Sequence, residues 1–161
     1  MSEKQGNGIC MFVYNNDQLD YTRFAILAAR YAKRSMNNIS VTAITDDGTL
    51  GWMQEKHGDE LIDQCFDSVV IDNVKHDTNM RRHMDSPWTE FKAQFSNSNK
   101  HDVYTLTPYE RTLLIDTDYL VMNNDYGYLF DSDISVGMHR YAMYLGGDAP
   151  YRNEVHLNDA G

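Results

Sequence analysis

TLLIDTDYLV, residues 112–121, is an apolar run that delivers two aspartates and then turns apolar again. Leu113, Leu114 and Ile115 read as a buried strand, and Asp116 and Asp118 follow at its end. A carboxylate is costly to bury without a partner. Two of them, one residue apart at the end of a buried strand, call for a cation. Hard divalent ions take oxygen ligands from carboxylates and from substrate phosphates together. The stretch points to a site that handles a phosphorylated ligand.

Working back from this strand, the chain alternates strand and helix. ICMFVY (9–14) is a short continuous apolar run that stops at Asn15-Asn16-Asp17, the pattern of a buried parallel strand. Asp20 is placed to cap a helix over YTRFAILAARYAKRS, where Phe24, Leu27, Ala28 and Tyr31 recur at helical spacing, and Asn37-Asn38 ends it. ISVTAIT (39–45) is a second strand, stopped by Asp46-Asp47-Gly48. A less regular helix runs from Leu50 to Ile62, and SVVIDNV (68–74) is a third strand. The spacing predicts a loop over 75–85, then a helix from about Pro87 to Phe95. Ser86 would be its cap, Pro87 its first residue and Glu90 the acid in its first turn. One more short strand is expected at Ile134–Met138, and residues 139–161 read as a turn-rich tail.

This order predicts an α/β fold, a doubly wound and mostly parallel sheet in a single domain with its core at about 9–138. In such sheets ligands bind beyond the carboxyl ends of the strands. Asn15–Asp17, Asp46-Asp47 and Asp116–Asp118 would then share one rim.

Composition narrows the function classes. The 161 residues suffice for one domain, and 42% hydrophobic and 12% aromatic content is globular. A net charge of −10, with no basic cluster larger than Lys33-Arg34 or Arg81-Arg82, argues against non-specific nucleic-acid binding. It also suits a protein that recruits a metal to hold a phosphate. Cys10 and Cys65 lie in apolar strings and are expected buried and reduced. Neither a signal peptide nor a transmembrane run is apparent, so the expected compartment is the cytoplasm and no membrane partner is expected.

TPYERTLLIDTDYLV resembles the Asp-x-Asp segment of nucleotide-diphospho-sugar transferases with the GT-A fold, near the glycogenin-like and phage-encoded glycosyltransferases. In those families an apolar strand ends in Asp-x-Asp after a Pro-aromatic-x-x-Thr lead-in, matched here by Pro108, Tyr109 and Thr112. The resemblance spans residues 9 to about 138 and is most specific at 107–121. It implies a GT-A, Rossmann-like nucleotide-binding domain that transfers sugar from a nucleoside-diphosphate sugar to an acceptor. By the same resemblance Asp118 would coordinate Mn²⁺ or Mg²⁺ together with the donor diphosphate. Asp116 would reach the metal or the donor ribose and sugar, and Tyr14 or Asn15 would lie near the base. The metal would neutralise charge on the departing nucleoside diphosphate.

Other candidates carry plainer readings. Asp46 and Asp47 precede Gly48, where a turn and a ribose or base contact weigh equally. Asp131-Ser132-Asp133 reads as a turn, and Arg81-Arg82 and Lys92 as solvated surface. The six histidines show no ligand spacing. Gly6-x-Gly8 precedes its strand, the wrong order for a phosphate cradle. Haloacid-dehalogenase-like phosphatases also end a strand in Asp-x-Asp, but that motif opens their domain and wants Thr or Val where Leu120 stands.

Measured against the resemblance, the chain ends early, so the acceptor half is expected to be short or missing. A minimal enzyme and a half completed by another chain are two readings. The third, from a different class, is a non-catalytic GT-A-like binding or assembly module. A shortened sheet would also leave an edge that favours homo-oligomers.

Overall fold

The computed structural model describes residues 4, 6–15, 20–74, 79–86, 89–95 and 100–131. The chain divides into two units, Met1–Phe130 and Asp131–Gly161. The sheet, its helices and a pair of antiparallel strands all belong to the first unit. The expected strand at Ile134–Met138, the tail 139–161, Asp133 and Asn16-Asp17 lie outside the described residues.

Four strands form one parallel sheet: β1 (Asn7–Phe12), β2 (Ser40–Thr45), β3 (Ser68–Ile71) and β6 (Arg111–Leu114). Their order is β3-β2-β1-β6. Ile9 sits opposite Val41 on one side and Leu113 on the other, and Ile44 opposite Val70. Helices α1 (Tyr21–Ser35), α2 (Asp47–His57) and α3 (Asp59–Cys65) connect the first three strands. The result is an α/β fold with an all-parallel sheet flanked by helices.

Strand alternation divides the core in two. Ile9, Met11, Val13, Val41, Ala43 and Val69 face one side, with Ala25, Ala28, Ala29, Met53, Ile62 and Cys65 from the three helices. Successive crossovers in one direction across a sheet put their helices on one face when they share a hand. Cys10, Phe12, Ile44, Val70 and Leu114 face the other side. There they meet Tyr109 and the short helix α4 (Val103–Leu106). Burying a side chain the size of Ile9 or Met11 stabilises by about 1.5–3 kcal/mol, so the first face carries most of the apolar stabilisation.

The helix ends follow their residues. Asp20 caps α1 by accepting from the backbone N–H groups of Thr22 and Arg23. Asn37 and Asn38, with φ of 50° and 58°, take the left-handed turn that ends it. α1 differs from expectation in its phase. Its buried face is Thr22, Ala25, Ile26, Ala28, Ala29 and Ala32, while Phe24 and Leu27 are 42% and 45% exposed. Small alanines let the helix sit close on the sheet, and the larger apolar residues are left outside.

Two further expectations are corrected. The single helix over Leu50–Ile62 is two, broken at Gly58, whose φ of 79° is reached readily only by glycine. Within the expected loop at 75–85 and helix at Pro87–Phe95, the described residues 79–86 and 89–95 are instead a pair of antiparallel strands. There β4 (Asn79–Ser86) pairs with β5 (Thr89–Phe95), Asn79 opposite Phe95 and Ser86 opposite Thr89. Ser86 therefore ends a strand and caps no helix.

Candidate functional site

Because the four strands are parallel, their carboxyl ends lie along one edge of the sheet. The chain moves outward from β1 through β2 to β3, then returns to the opposite side of β1 as β6. That reversal makes the carboxyl end of the paired β1 and β6 a topological switch point, where open α/β sheets form their ligand crevice. Tyr14 and Asn15 leave β1 there, and Asp116 leaves β6.

The β1–β2–β3 part of the rim is a bonded polar network. The Tyr14 hydroxyl donates to Asp72 Oδ2 at 3.0 Å, and Tyr14 stacks on Phe12 with ring centroids 6.3 Å apart. Asp72 is only 5% exposed and its Oδ1 accepts from the backbone N–H of Val74 at 3.2 Å. The Asn15 backbone N–H donates to Thr49 Oγ1 at 3.0 Å, while Asn15 Oδ1 accepts from Thr22 N at 3.3 Å. Asp46 caps α2, accepting from the Thr49 N–H at 2.6 Å. Next to it, Asp47 and Asn73 exchange two bonds of 3.0 and 2.7 Å. Asn15 and Asp46 thus share Thr49 as a partner, while Tyr14 is tied separately to Asp72. Asp46 spends one carboxylate oxygen on its helix, the plain role of an N-cap Asp.

The β6 part is open. Ile115 and Thr117 are buried and alternate with exposed Asp116 and Asp118, so both carboxylates emerge on the solvent side of an anchored segment. Ile115 continues the ladder by donating its N–H to the Cys10 carbonyl at 3.1 Å. Asp116 pairs with the ammonium of Lys100, in a short 3₁₀ turn Lys100–Asp102, and its side chain is 58% exposed. Asp118 makes no ion pair or side-chain hydrogen bond among the described residues. Beyond them, the hydroxyls of Tyr119 and Tyr126 share a hydrogen bond of 2.6 Å. Burial, then that bond, pushes the Tyr119 hydroxyl up to about 12.

The lead-in to β6 has a structural role. Tyr109 lies so close over Gly8 that a Cβ there would come within 2.3 Å of its ring. Its hydroxyl accepts from Thr42 Oγ1 at 2.8 Å, so one side chain spans β1 and reaches β2. Thr107 Oγ1 meets Thr112 Oγ1 at 2.6 Å and accepts from the Tyr109 N–H at 3.2 Å and the Cys10 thiol at 3.5 Å. Burial, only partly offset by Thr107, pushes the Cys10 thiol up to about 11, which makes it an inert core group.

No protein-family model, no curated protein and no solved structure matches this chain.

Among the described residues no three His, Cys, Asp or Glu side chains gather as a metal-binding group. Asp116 and Asp118 offer an all-oxygen donor pair of the kind hard cations take, with the other positions left to phosphate and water. Sequence reasoning missed Asp72, although SVVID repeats the pattern of TLLID, an apolar strand delivering an Asp. It also missed Lys100, whose contact with Asp116 across 16 residues leaves no local signal. No helix among the described residues is long and apolar enough to cross a membrane.

Proposed function

We propose that this chain is a glycosyltransferase-like protein of GT-A type that binds a nucleoside-diphosphate sugar at the β1/β6 crevice. One observation carries the reading: Asp116 and Asp118 emerge from β6 at the switch point of an all-parallel sheet, with unspent carboxylate oxygens on the solvent side. Asp116 and Asp118 would hold Mn²⁺ or Mg²⁺, which would supply positive charge against the diphosphate. The protein's own groups do the rest. Tyr14, its hydroxyl held by Asp72, would lie near the base at the end of β1, with Asn15 and Asp46 held through Thr49 at the same rim. Lys100, paired with Asp116, would be a second positive charge at the same rim.

Calorimetry with UDP- and GDP-sugars, with and without Mn²⁺, tests the reading. Metal-dependent binding that disappears in Asp118→Ala is the expected result. Absence of binding by every nucleotide and sugar nucleotide, metal present, would sink it. Metal-indifferent binding without sugar transfer or donor hydrolysis would favour the non-catalytic module, a reading to which the Lys100–Asp116 pair lends weight.

A further inference from the structure

α1 leaves unexplained side chains on its outer face. Phe24, Leu27 and Tyr31 line up at i, i+3 and i+7, with Phe24 and Leu27 more than two-fifths exposed. Beside them run Arg23, Arg30 and Arg34, and the segment Tyr21–Ser35 contains no acidic residue. A groove of about 590 Å³ follows this face, lined by Arg23, Phe24, Leu27 and Arg30, with Asp20 and His57 at one end. Lys33 is committed to Asp67 at 2.8 Å, whereas Arg23 and Arg30 have no ion-pair partner among the described residues.

The neighbouring helices carry the opposite charge. α2 and α3 pack on the same face of the sheet as α1, so their exposed sides also point away from it. Asp59, Glu60 and Asp63 are exposed there, while Lys56 pairs with Glu55 at 3.4 Å and lies 5.0 Å over the ring of Trp52, itself 43% exposed. One helical layer thus places a cationic, apolar strip beside an acidic strip that bears an exposed tryptophan.

We propose that this helical layer is a self-association face. A second copy docks by a two-fold rotation, so that α1 of each copy lies across α2–α3 of the other. Two-fold symmetry makes every contact occur twice, residue i of one copy meeting residue j of the other and the reverse. Arg23 and Arg30 then face Glu60 and Asp63 on both sides of the axis, with Phe24, Leu27 and Trp52 between them. The alternative register, α1 on α1, sets arginines against arginines and is disfavoured by the same charges. A nucleic acid would satisfy the arginines but would meet the acidic strip and a net charge of −10. The helical layer must supply a buried area of roughly 1,200–2,000 Å² for a stable dimer. α1 meets the carboxyl rim at its first turn, where Thr22 bonds Asn15, and the proposed contact does not depend on what binds there.

The test uses the full 161-residue chain in sedimentation velocity, at low and high salt, with two charge-reversal variants. One is Arg23→Glu with Arg30→Glu, the other Glu60→Arg with Asp63→Arg. The wild type is expected at dimer mass, shifting toward monomer as salt screens the charges. Each variant alone should run at half that mass with an unchanged circular dichroism spectrum. An equimolar mixture should return to dimer mass, because each contact then pairs opposite charges again. A monomeric wild type overturns the proposal. So does a dimer that survives both reversals, which would place the contact at a sheet edge. Failure of the mixture to reassociate overturns it as well, since an intramolecular occupant of the groove cannot be rescued by mixing.

Discussion

Thr107, Tyr109 and Thr112, just before β6 and at its start, are bonded into the second face of the sheet, whereas Asp116 and Asp118, just after it, face solvent. The strand itself is only four residues long. In one direction along it, polar atoms are consumed by the fold; in the other, Asp116 gives one oxygen to Lys100 and Asp118 bonds nothing among the described residues. A short sequence motif can therefore combine a part that fixes a strand and a part that the strand presents. Only the second part has oxygen lone pairs left for a ligand, so the two halves should respond to substitution in opposite ways.

The largest effect is expected at the buried half. Tyr109→Ala removes a ring that spans β1 and should destabilise by about 3 kcal/mol or more in urea unfolding. Gly8→Ala should cost about 1–3 kcal/mol through overpacking against that ring. In the Tyr109→Ala background its cost should largely vanish, because residues in contact are not additive. Equal costs in both backgrounds would show that the ring does not rest on Gly8.

Next comes the bonded part of the rim. Tyr14→Phe removes the donor to Asp72 and should lower stability by about 1 kcal/mol, read as a shift in the unfolding midpoint. Asp116→Ala and Asp118→Ala, by contrast, should stay within about 0.5 kcal/mol of wild type while abolishing Mn²⁺-dependent nucleotide binding. A large stability loss in either would assign the carboxylates to the fold and erase the contrast between the two halves.

The smallest effect is a pH dependence. Burial pushes the Asp67 carboxyl up, but its bonds to Lys33 and to the Val41 N–H outweigh that and hold it below its ordinary value. A depressed folded value means stability that is present above the unfolded carboxylate pKa, about 3.9, and lost as pH falls through the folded value. With the side chain 45% exposed, the contribution should be under about 1 kcal/mol. The midpoint of thermal unfolding should fall in that acid window, and Asp67→Asn should remove this part of the slope.

The strands of the sheet are legible because continuous apolar runs such as ICMFVY and TLLI have few other uses at that length. The antiparallel pair is not, because Ser86-Pro87 and Glu90 look like a helix start. Yet Phe91, Ala93 and Phe95 alternate with Glu90, Lys92 and Gln94, a period of two that outweighs the cap signal. The phase of α1 misleads because bulky Phe24 and Leu27 look like better core residues than alanines. Close helix–sheet packing prefers the alanines. At the rim, local patterns put Tyr14, Asn15 and Asp46 at strand ends, where they are, but their partners are Asp72 for Tyr14 and Thr49 for Asn15 and Asp46. A partner as distant as Asp72 is from Tyr14 leaves no trace in local spacing.

The pairing of Asn7 with Arg111 and of Cys10 with Leu114 has a kinetic consequence. β1 sits in the interior of the sheet, yet one of its neighbours is made only after β4, β5 and α4 have left the ribosome. Until then one whole edge of Asn7–Phe12 is an unpaired row of backbone donors and acceptors, the kind of template that recruits foreign strands. Joining such distant segments is slow because the closure entropy is lost before any contact rewards it. Tyr109, just ahead of β6, rests over Gly8 of β1 and helps hold this pairing. Weakening it should raise aggregation during synthesis more than it lowers the stability of the finished protein.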